Sequence, residues 1–211
     1  MTAGKKNNKE NDGKNLPLVE HFFSIQGEGY HSGKPAYFIR LGGCDIGCRW
    51  CDSPYTWNPD VHPIVPVDEI LNFITNSGTD SVVVTGGEPL MWNLDYLCNK
   101  LKEKNLVTFL ETSGAYKLTG VWDWICLSPK ISRKPDEKIW QIADELKIIV
   151  GDVNDFRWAE ECRLKVKSDC VLYLQPEWKR FKTIIPEIVE YVKQNRQWRI
   201  SLQIHKYMNI P

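Results

Sequence analysis

Short runs of strand-forming residues recur along the chain, and most are succeeded by a polar turn. Ala36-Tyr37-Phe38-Ile39-Arg40-Leu41, Ser81-Val82-Val83-Val84, Val107-Thr108-Phe109-Leu110, Trp124-Ile125-Cys126-Leu127, Leu146-Lys147-Ile148-Ile149-Val150, Val171-Leu172-Tyr173-Leu174 and Arg199-Ile200-Ser201-Leu202 are rich in β-branched and aromatic side chains. Several are almost continuously apolar, as strands covered on both faces are. Between them, Val67 to Asn76, Leu94 to Lys104 and Ile184 to Asn195 carry apolar residues at helical spacing: Ile70, Leu71 and Ile74; Leu94, Leu97 and Leu101; Ile184, Ile188 and Val192. The alternation predicts an α/β fold on a parallel sheet. The intervals from Val107 to Trp124 and from Trp124 to Leu146 are too short or too polar for full crossover helices. A complete eight-fold barrel therefore does not fit, and a partial parallel β/α barrel of about six strands is expected.

The turns at the ends of these runs indicate where a site would lie. Thr85-Gly86-Gly87-Glu88-Pro89, Glu111-Thr112-Ser113-Gly114, Ser128-Pro129-Lys130, Gln175-Pro176-Glu177 and Gln203-Ile204-His205-Lys206 gather polar residues at strand ends. In barrels and open parallel sheets the carboxyl edge carries the chemistry, because loops converge there while the strands fix their positions.

A length of 211 residues suits one domain. Residues 1–15 are Lys-, Asn-, Glu- and Gly-rich and are expected to form a disordered N-terminal tail, leaving 16–211 as a single domain. Twenty-seven Lys and Arg balance 27 Asp and Glu, which argues against direct binding to a nucleic-acid backbone. No apolar run approaches the roughly 18 residues of a bilayer span, and the polar start is not a secretory signal, so a cytoplasmic protein without a membrane partner is expected. The nine tryptophans lie mostly in or beside apolar runs, where packing rather than base stacking is their expected use.

Three of the seven cysteines fall in Cys44-Asp45-Ile46-Gly47-Cys48-Arg49-Trp50-Cys51, after a strand and a Gly42-Gly43 turn. That is a ligand arrangement and not a disulfide framework. Thiolates suit zinc or an iron-sulfur cluster. Zinc would need a fourth ligand, and Cys98, His62 or His205 could supply it from a distance. Three thiolates on a four-iron cluster would instead leave one iron open to a small molecule. Cys98, Cys126, Cys162 and Cys170 lie in or beside periodic segments and read as small core residues.

The spacing Cys44-x3-Cys48-x2-Cys51, with Trp50 before the last cysteine, resembles the signature of the radical S-adenosylmethionine superfamily. The Thr85-Gly86-Gly87-Glu88-Pro89 segment resembles that superfamily's second motif, whose glycines admit the methionine part of the cofactor. Phe23-Ser24-Ile25-Gln26-Gly27-Glu28-Gly29, Gly33 to Arg40, Cys51-Asp52-Ser53, Trp122 to Lys130 and Gln203 to Pro211 together resemble the 7-carboxy-7-deazaguanine synthase family, over nearly all of the chain from Leu16 to Pro211.

The resemblance implies a radical S-adenosylmethionine fold, a 4Fe-4S cluster on Cys44, Cys48 and Cys51, S-adenosylmethionine, Mg2+ and a homodimer. It implies a carbon-nitrogen lyase that converts 6-carboxy-5,6,7,8-tetrahydropterin to 7-carboxy-7-deazaguanine with release of ammonia, on the route to queuosine and tRNA modification. An electron donor such as flavodoxin or ferredoxin would reduce the cluster. Substrate contacts are implied at Ile25, Gln26, Gly27, Arg40, Thr85 and the terminal carboxylate of Pro211. His205 is a further candidate, and Glu28 and Glu111 are additional ones. Cofactor contacts fall on Trp50, Cys51, Asp52, Gly87, Ser128, Pro129, Lys130, Gln175, Pro176, Glu177 and Trp178. The magnesium contact falls on Ser53, where many family members carry Thr; the hydroxyl is kept. Two rival readings are an activating enzyme that makes a glycyl radical on a partner protein and a non-catalytic zinc-binding interaction module.

Overall fold

The computed structural model describes residues 12–211. One nine-stranded sheet organises them, in the order β3-β1-β2-β4-β5-β6-β7-β8-β9. The strands are β1 Asn15–Ile25, β2 Pro35–Leu41, β3 Ile64–Pro66, β4 Ser81–Gly86, β5 Val107–Thr112, β6 Trp124–Leu127, β7 Glu145–Val150, β8 Val171–Pro176 and β9 Trp198–Ile200. From β2 to β9 every neighbouring pair is parallel, so seven strands, against the roughly six expected, make the unclosed β/α wall. Strand β1 was not expected. It pairs antiparallel with both β2 and β3 and adds an antiparallel flank.

Six helices accompany the sheet: α1 Val67–Ser77, α2 Asp95–Glu103, α3 Glu137–Ile142, α4 Asp155–Arg163, α5 Phe181–Gln194 and α6 Ile204–Met208. Helix α1 buries Val67, Ile70, Leu71 and Ile74, which share one face at this spacing, and stops at Gly78, whose φ of 71° only glycine adopts cheaply. As the intervals suggested, no helix lies between β5 and β6, and the one between β6 and β7 has only six residues.

The expected tail lies outside the described residues as far as residue 11. Its last residues do not fit the expectation. Asn15 opens β1 opposite Pro66, the Val67 amide donates to the Lys14 carbonyl at 2.8 Å, and Gly13 packs against Asn93. The folded unit thus begins before residue 16.

Strand alternation divides the core in two. Tyr37, Ile39, Leu41, Val82, Val84, Leu110, Leu127, Leu146, Ile148 and Val150 face the helices and join one continuous cluster with α1, α2 and α5. On the opposite face Ala36, Phe38 and Val83, with Phe22 and Phe109, fill one end of the partial barrel. The next inward positions along these strands are Arg40, Thr85 and Glu111, so the apolar filling gives way to polar groups toward the carboxyl edge. Cys98, Cys126, Cys162 and Cys170 are buried, and Trp140 and Trp198 are core residues with Trp92, Trp122 and Trp158 packed against the core.

Leu110 is fully buried at the centre of the helix-facing layer. Leu110→Ala should destabilise the fold by about 2–5 kcal/mol, because the transfer energy of the lost methyl groups is joined by that of the cavity they leave. Urea unfolding followed by circular dichroism should show the midpoint fall with little change in slope.

Candidate active site

The polar ends of β2, β4, β5, β6, β7 and β8 open into a cleft of about 880 Å³. Its lining includes Cys44, Cys48 and Cys51; Ile25, Gln26, Gly27, Arg40, Thr85, His205 and Pro211; Trp50, Asp52, Gly87, Ser128, Lys130, Gln175, Pro176, Glu177 and Trp178; and Ser53. Of the substrate, cofactor and metal contacts that the resemblance implied, Pro129 alone does not line it. That ring is buried behind the turn, which presents Ser128 and Lys130 instead.

The cysteine loop is pinned from two sides. Gly43 N and Cys44 N donate to Thr56 and Trp57 carbonyls at 2.7 and 3.1 Å, and Gly43 O accepts from Glu88 N at 2.8 Å. The glycine pair at the end of β4 makes room for this contact and for the end of β2. A Cβ on Gly87 would lie 2.4 Å from Gly43 O and 2.8 Å from Cys44 Cβ, and one on Gly86 2.2 Å from Leu41 O. The absent side chain at Gly87 therefore admits the cysteine loop itself and that at Gly86 the end of β2, a requirement that the motif alone did not reveal. Glu88 is buried and accepts from Leu90 N, from Ser113 N and from the Thr112 and Ser113 hydroxyls, so it ties the end of β4 to the end of β5.

All three thiols are free and half-buried. Burial raises Cys44 and Cys48, and neighbouring cysteines push both further, so the three interact electrostatically. Among the described residues no three His, Cys, Asp or Glu side chains converge as a single metal ion requires. A cluster does not demand that convergence, since each thiolate takes a different iron. Three thiols on one loop at the cleft are the donor set of a three-thiolate cluster, and the zinc reading gains no support. Two of its three distant candidates are engaged elsewhere: Cys98 is buried with its thiol pushed up to about 12 by burial, and His62 Nε2 lies 2.9 Å from Tyr55 O, while His205 lines the cleft.

On β2, before the loop, Arg40 Nε donates to Glu20 Oε1 at 2.6 Å, and Tyr55 donates to the same oxygen at 3.2 Å. Glu20 thus fixes the guanidinium from one side. Gln26 Nε2 donates to Glu111 Oε1 at 2.8 Å, while its Oε1 accepts from Glu28 N at 3.1 Å. Glu28 and Glu111 share the buried Lys147, with Nζ to oxygen distances of 2.5 and 3.5 Å. Burial would raise the Glu28 carboxyl, but the Lys147 ammonium and hydrogen bonds from Lys147, Gln203 and Gln175 override it and hold it at about 2. Removing one partner of such a pair would leave a buried charge uncompensated, at about 3–5 kcal/mol.

The C-terminal segment completes the enclosure. Ile204 N donates to Gly27 O at 2.9 Å, Ser24 Oγ to Pro211 O at 3.3 Å, and Gln203 Nε2 bridges Glu28 and Asp52 at 2.8 and 3.0 Å. Lys206 also binds Asp52 at 2.9 Å and lies 4.8 Å from the Trp178 ring centroid. His205 sits where a side chain on Gly27 would be, since a Cβ there would lie 2.2 Å from Nδ1. Gln175 is buried and accepts from Ser201 Oγ at 2.7 Å, and Lys130 Nζ donates to Ser128 O and Oγ at 2.8 and 2.7 Å. Glu20, Tyr55 and Lys147 carried no local sequence signal, and Gln203 and Lys206 were marked only as part of a polar segment after the last strand.

A three-cysteine loop resting on a glycine pair, at the carboxyl edge of an incomplete β/α barrel, defines a radical S-adenosylmethionine protein, and the Radical SAM superfamily model matches residues 38–125. The chain is 51% identical over 199 residues to the 7-carboxy-7-deazaguanine synthase of Flavobacterium psychrophilum, covering 94% of each, and 46% identical to that of Synechocystis sp., covering 92% and 93%. The crystal structure of QueE from Escherichia coli superposes with a TM-score of 0.80 at 29% identity, over 93% of this chain and 99% of that one. The chain belongs to the 7-carboxy-7-deazaguanine synthase family. No helix among the described residues is long and apolar enough to cross a membrane.

Two measurements check this geometry. Gly87→Ala should displace the cysteine loop, because the obstructing atom at Gly43 is backbone, and iron content after anaerobic reconstitution should drop well below that of the unaltered protein. Burial lowers the His205 pKa below its usual 6.5. A histidine ring so shifted contributes stability in full above pH 6.5 and loses it as pH falls through the folded value. Its NMR titration midpoint in the metal-free protein should lie below 6.5.

Proposed function

We propose that the protein is a 7-carboxy-7-deazaguanine synthase that rearranges 6-carboxy-5,6,7,8-tetrahydropterin to 7-carboxy-7-deazaguanine and releases ammonia, a carbon-nitrogen lyase step toward queuosine. The observation that carries this reading is that one cleft holds both the three-cysteine loop and a separate polar wall of Arg40, Gln26, Glu28 and Glu111. A 4Fe-4S cluster on Cys44, Cys48 and Cys51, with S-adenosylmethionine bound, would supply an adenosyl radical able to take hydrogen from C6 of the pterin.

Arg40, steadied by Glu20, offers its remaining guanidinium nitrogens to the substrate carboxylate. Gln26, backbone groups at Ile25 and Gly27, and Pro211 border the place for the planar amide and amino edge, with Thr85 beside Arg40 in register. His205, held neutral by burial near pH 7, can exchange hydrogen bonds there without adding charge. Trp50, Asp52, Gly87, Ser128, Lys130 and the Gln175 to Trp178 turn border the cofactor's share of the cleft. Ser53 keeps a hydroxyl that suits Mg2+, which would orient the substrate and not take part in redox chemistry. In this reading the working unit is a single domain in a cytoplasmic homodimer, reduced by a flavodoxin or ferredoxin.

Mass spectrometry of an anaerobic reaction with reconstituted protein, reductant, S-adenosylmethionine, Mg2+ and the carboxytetrahydropterin should show 7-carboxy-7-deazaguanine only when the pterin is present. Cleavage of S-adenosylmethionine without deazaguanine would keep the radical chemistry and overturn the substrate. Cys48→Ala should abolish product. Arg40→Ala should raise the KM for the pterin by tenfold or more, as expected for a lost charge-assisted bond of about 1.5–3 kcal/mol, and an unchanged KM would remove the carboxylate clamp. With Ser53→Ala the Mg2+ stimulation should weaken, whereas Ser53→Thr should retain it.

A further inference from the structure

One buried cation at the cleft floor has no part in the roles assigned to the other lining residues. Lys147 lies on the inner face of β7 with its side chain only 5% exposed, and lysines are rarely buried to this degree without paired partners. Two carboxylates meet it, and they come from different parts of the chain: Glu28 from the loop between β1 and β2, and Glu111 from β5. Both are more exposed than the lysine, at 14% and 25%, so the ammonium stands behind them. Each carboxylate also holds an amide, Glu111 that of Gln26 and Glu28 that of Gln203, both at 2.8 Å. Glu145 and Cys126 face the ammonium as well. Glu145 is itself raised by burial and is engaged by Tyr30 N and the Trp124 indole, which leaves Glu28 and Glu111 as the partners at bonding distance.

Two anions around one cation give this part of the floor a net negative charge. It is a surface of hydrogen-bond acceptors, suited to donors and not to a carboxylate. The opposite end is set by strand register: Arg40 pairs with Thr85 on β4, and Thr85 is the position beside Glu111 on β5. Two strand spacings, about 10 Å, therefore separate the backbone of the guanidinium from that of the acceptor group. A planar bicyclic heterocycle with N–H groups on one ring and a carboxylate on the other matches both the span and the polarity.

We infer that Lys147 is a positioning residue of the substrate site, which holds the Glu28 and Glu111 carboxylates in place so that, with Gln26, they accept hydrogen bonds from the N–H edge of that heterocycle. The inference deepens the proposed function and rests on it. Lys147 acts through the carboxylates and does not itself touch the substrate.

The test compares unaltered protein, Lys147→Met and Lys147→Arg, reconstituted and checked for iron content. Calorimetry measures binding of 7-carboxy-7-deazaguanine from pH 5 to 8, and steady-state assays measure the KM for the pterin. Lys147→Met should weaken product binding and raise KM tenfold or more, with a new dependence on pH: affinity improves as pH rises and the buried Glu28 carboxyl, no longer held ionised by the ammonium, loses its proton. Lys147→Arg should restore affinity to within a few-fold and abolish that dependence. A Lys147→Met protein with unaltered affinity and no new pH dependence overturns the inference, as does loss of stability with binding intact. If Lys147→Met does not fold, Glu28→Gln/Lys147→Met removes the opposite charges together and should bind the product at least tenfold more weakly; full affinity there overturns the inference. If the unaltered protein neither binds the deazaguanine nor turns over the pterin, the proposed function falls and this inference with it. Turnover by the unaltered protein with an indifferent Lys147→Met defeats the inference alone.

Discussion

A parallel sheet that does not close leaves a seam, and the groups lying across that seam set the form of the cleft. Strand β9 ends the sheet on one side, and beyond β2 the other side continues antiparallel into β1 and β3. The segment after β9 spans the difference. Its backbone bonds to Gly27, Gln203 reaches both the loop after β1 and the cysteine loop, and Lys206 holds Asp52. These few hydrogen bonds couple three segments that are remote in sequence. Without them the cysteine loop and the polar wall would share a sheet but not an enclosed space.

Within that enclosure the strands do two jobs by alternation alone. One set of side chains packs the helices and supplies the main hydrophobic core; the other set is apolar at the amino ends and polar at the carboxyl ends. The transition occurs within one strand pitch, between Phe38 and Arg40, Val83 and Thr85, and Phe109 and Glu111. Polar groups so close to a packed layer need partners, and the Lys147, Glu28, Glu111 and Gln26 group provides them. The cleft is thus a rigid, prepaired surface, the condition under which differential recognition of a substrate is possible.

Much of this was legible in the sequence, for identifiable reasons. The seven parallel strands announce themselves because they are covered on both faces and read as apolar runs, and α1, α2 and α5 because each keeps one clean apolar stripe. Strand β1 was hidden. It is only partly buried, so Asn15–Ile25 lacks a clear period of two, and its most informative residues read as a motif. Helix α4 buries only Ala159 and Cys162, too little for a stripe. Cysteine spacing and the glycine pair disclosed the cysteine loop and its setting, but not that Gly87 serves the loop's own packing. The ion network was beyond reach, since Lys147 and Glu28 are 119 residues apart and Gln203 and Glu28 are 175 apart, with no local pattern that links them.

At the sheet's two margins the outer strands have only three residues each, and β3 is bounded by Pro63 and Pro66, which have no amide hydrogen to offer. An unclosed sheet exposes backbone that a second chain can extend, and long flat margins are where such proteins coalesce into insoluble matter. Here both margins are short, and that of β3 is poor in donors as well, so neither offers a long template. The chain therefore leaves its barrel open to substrate without leaving it open to other copies of itself along the strand edges.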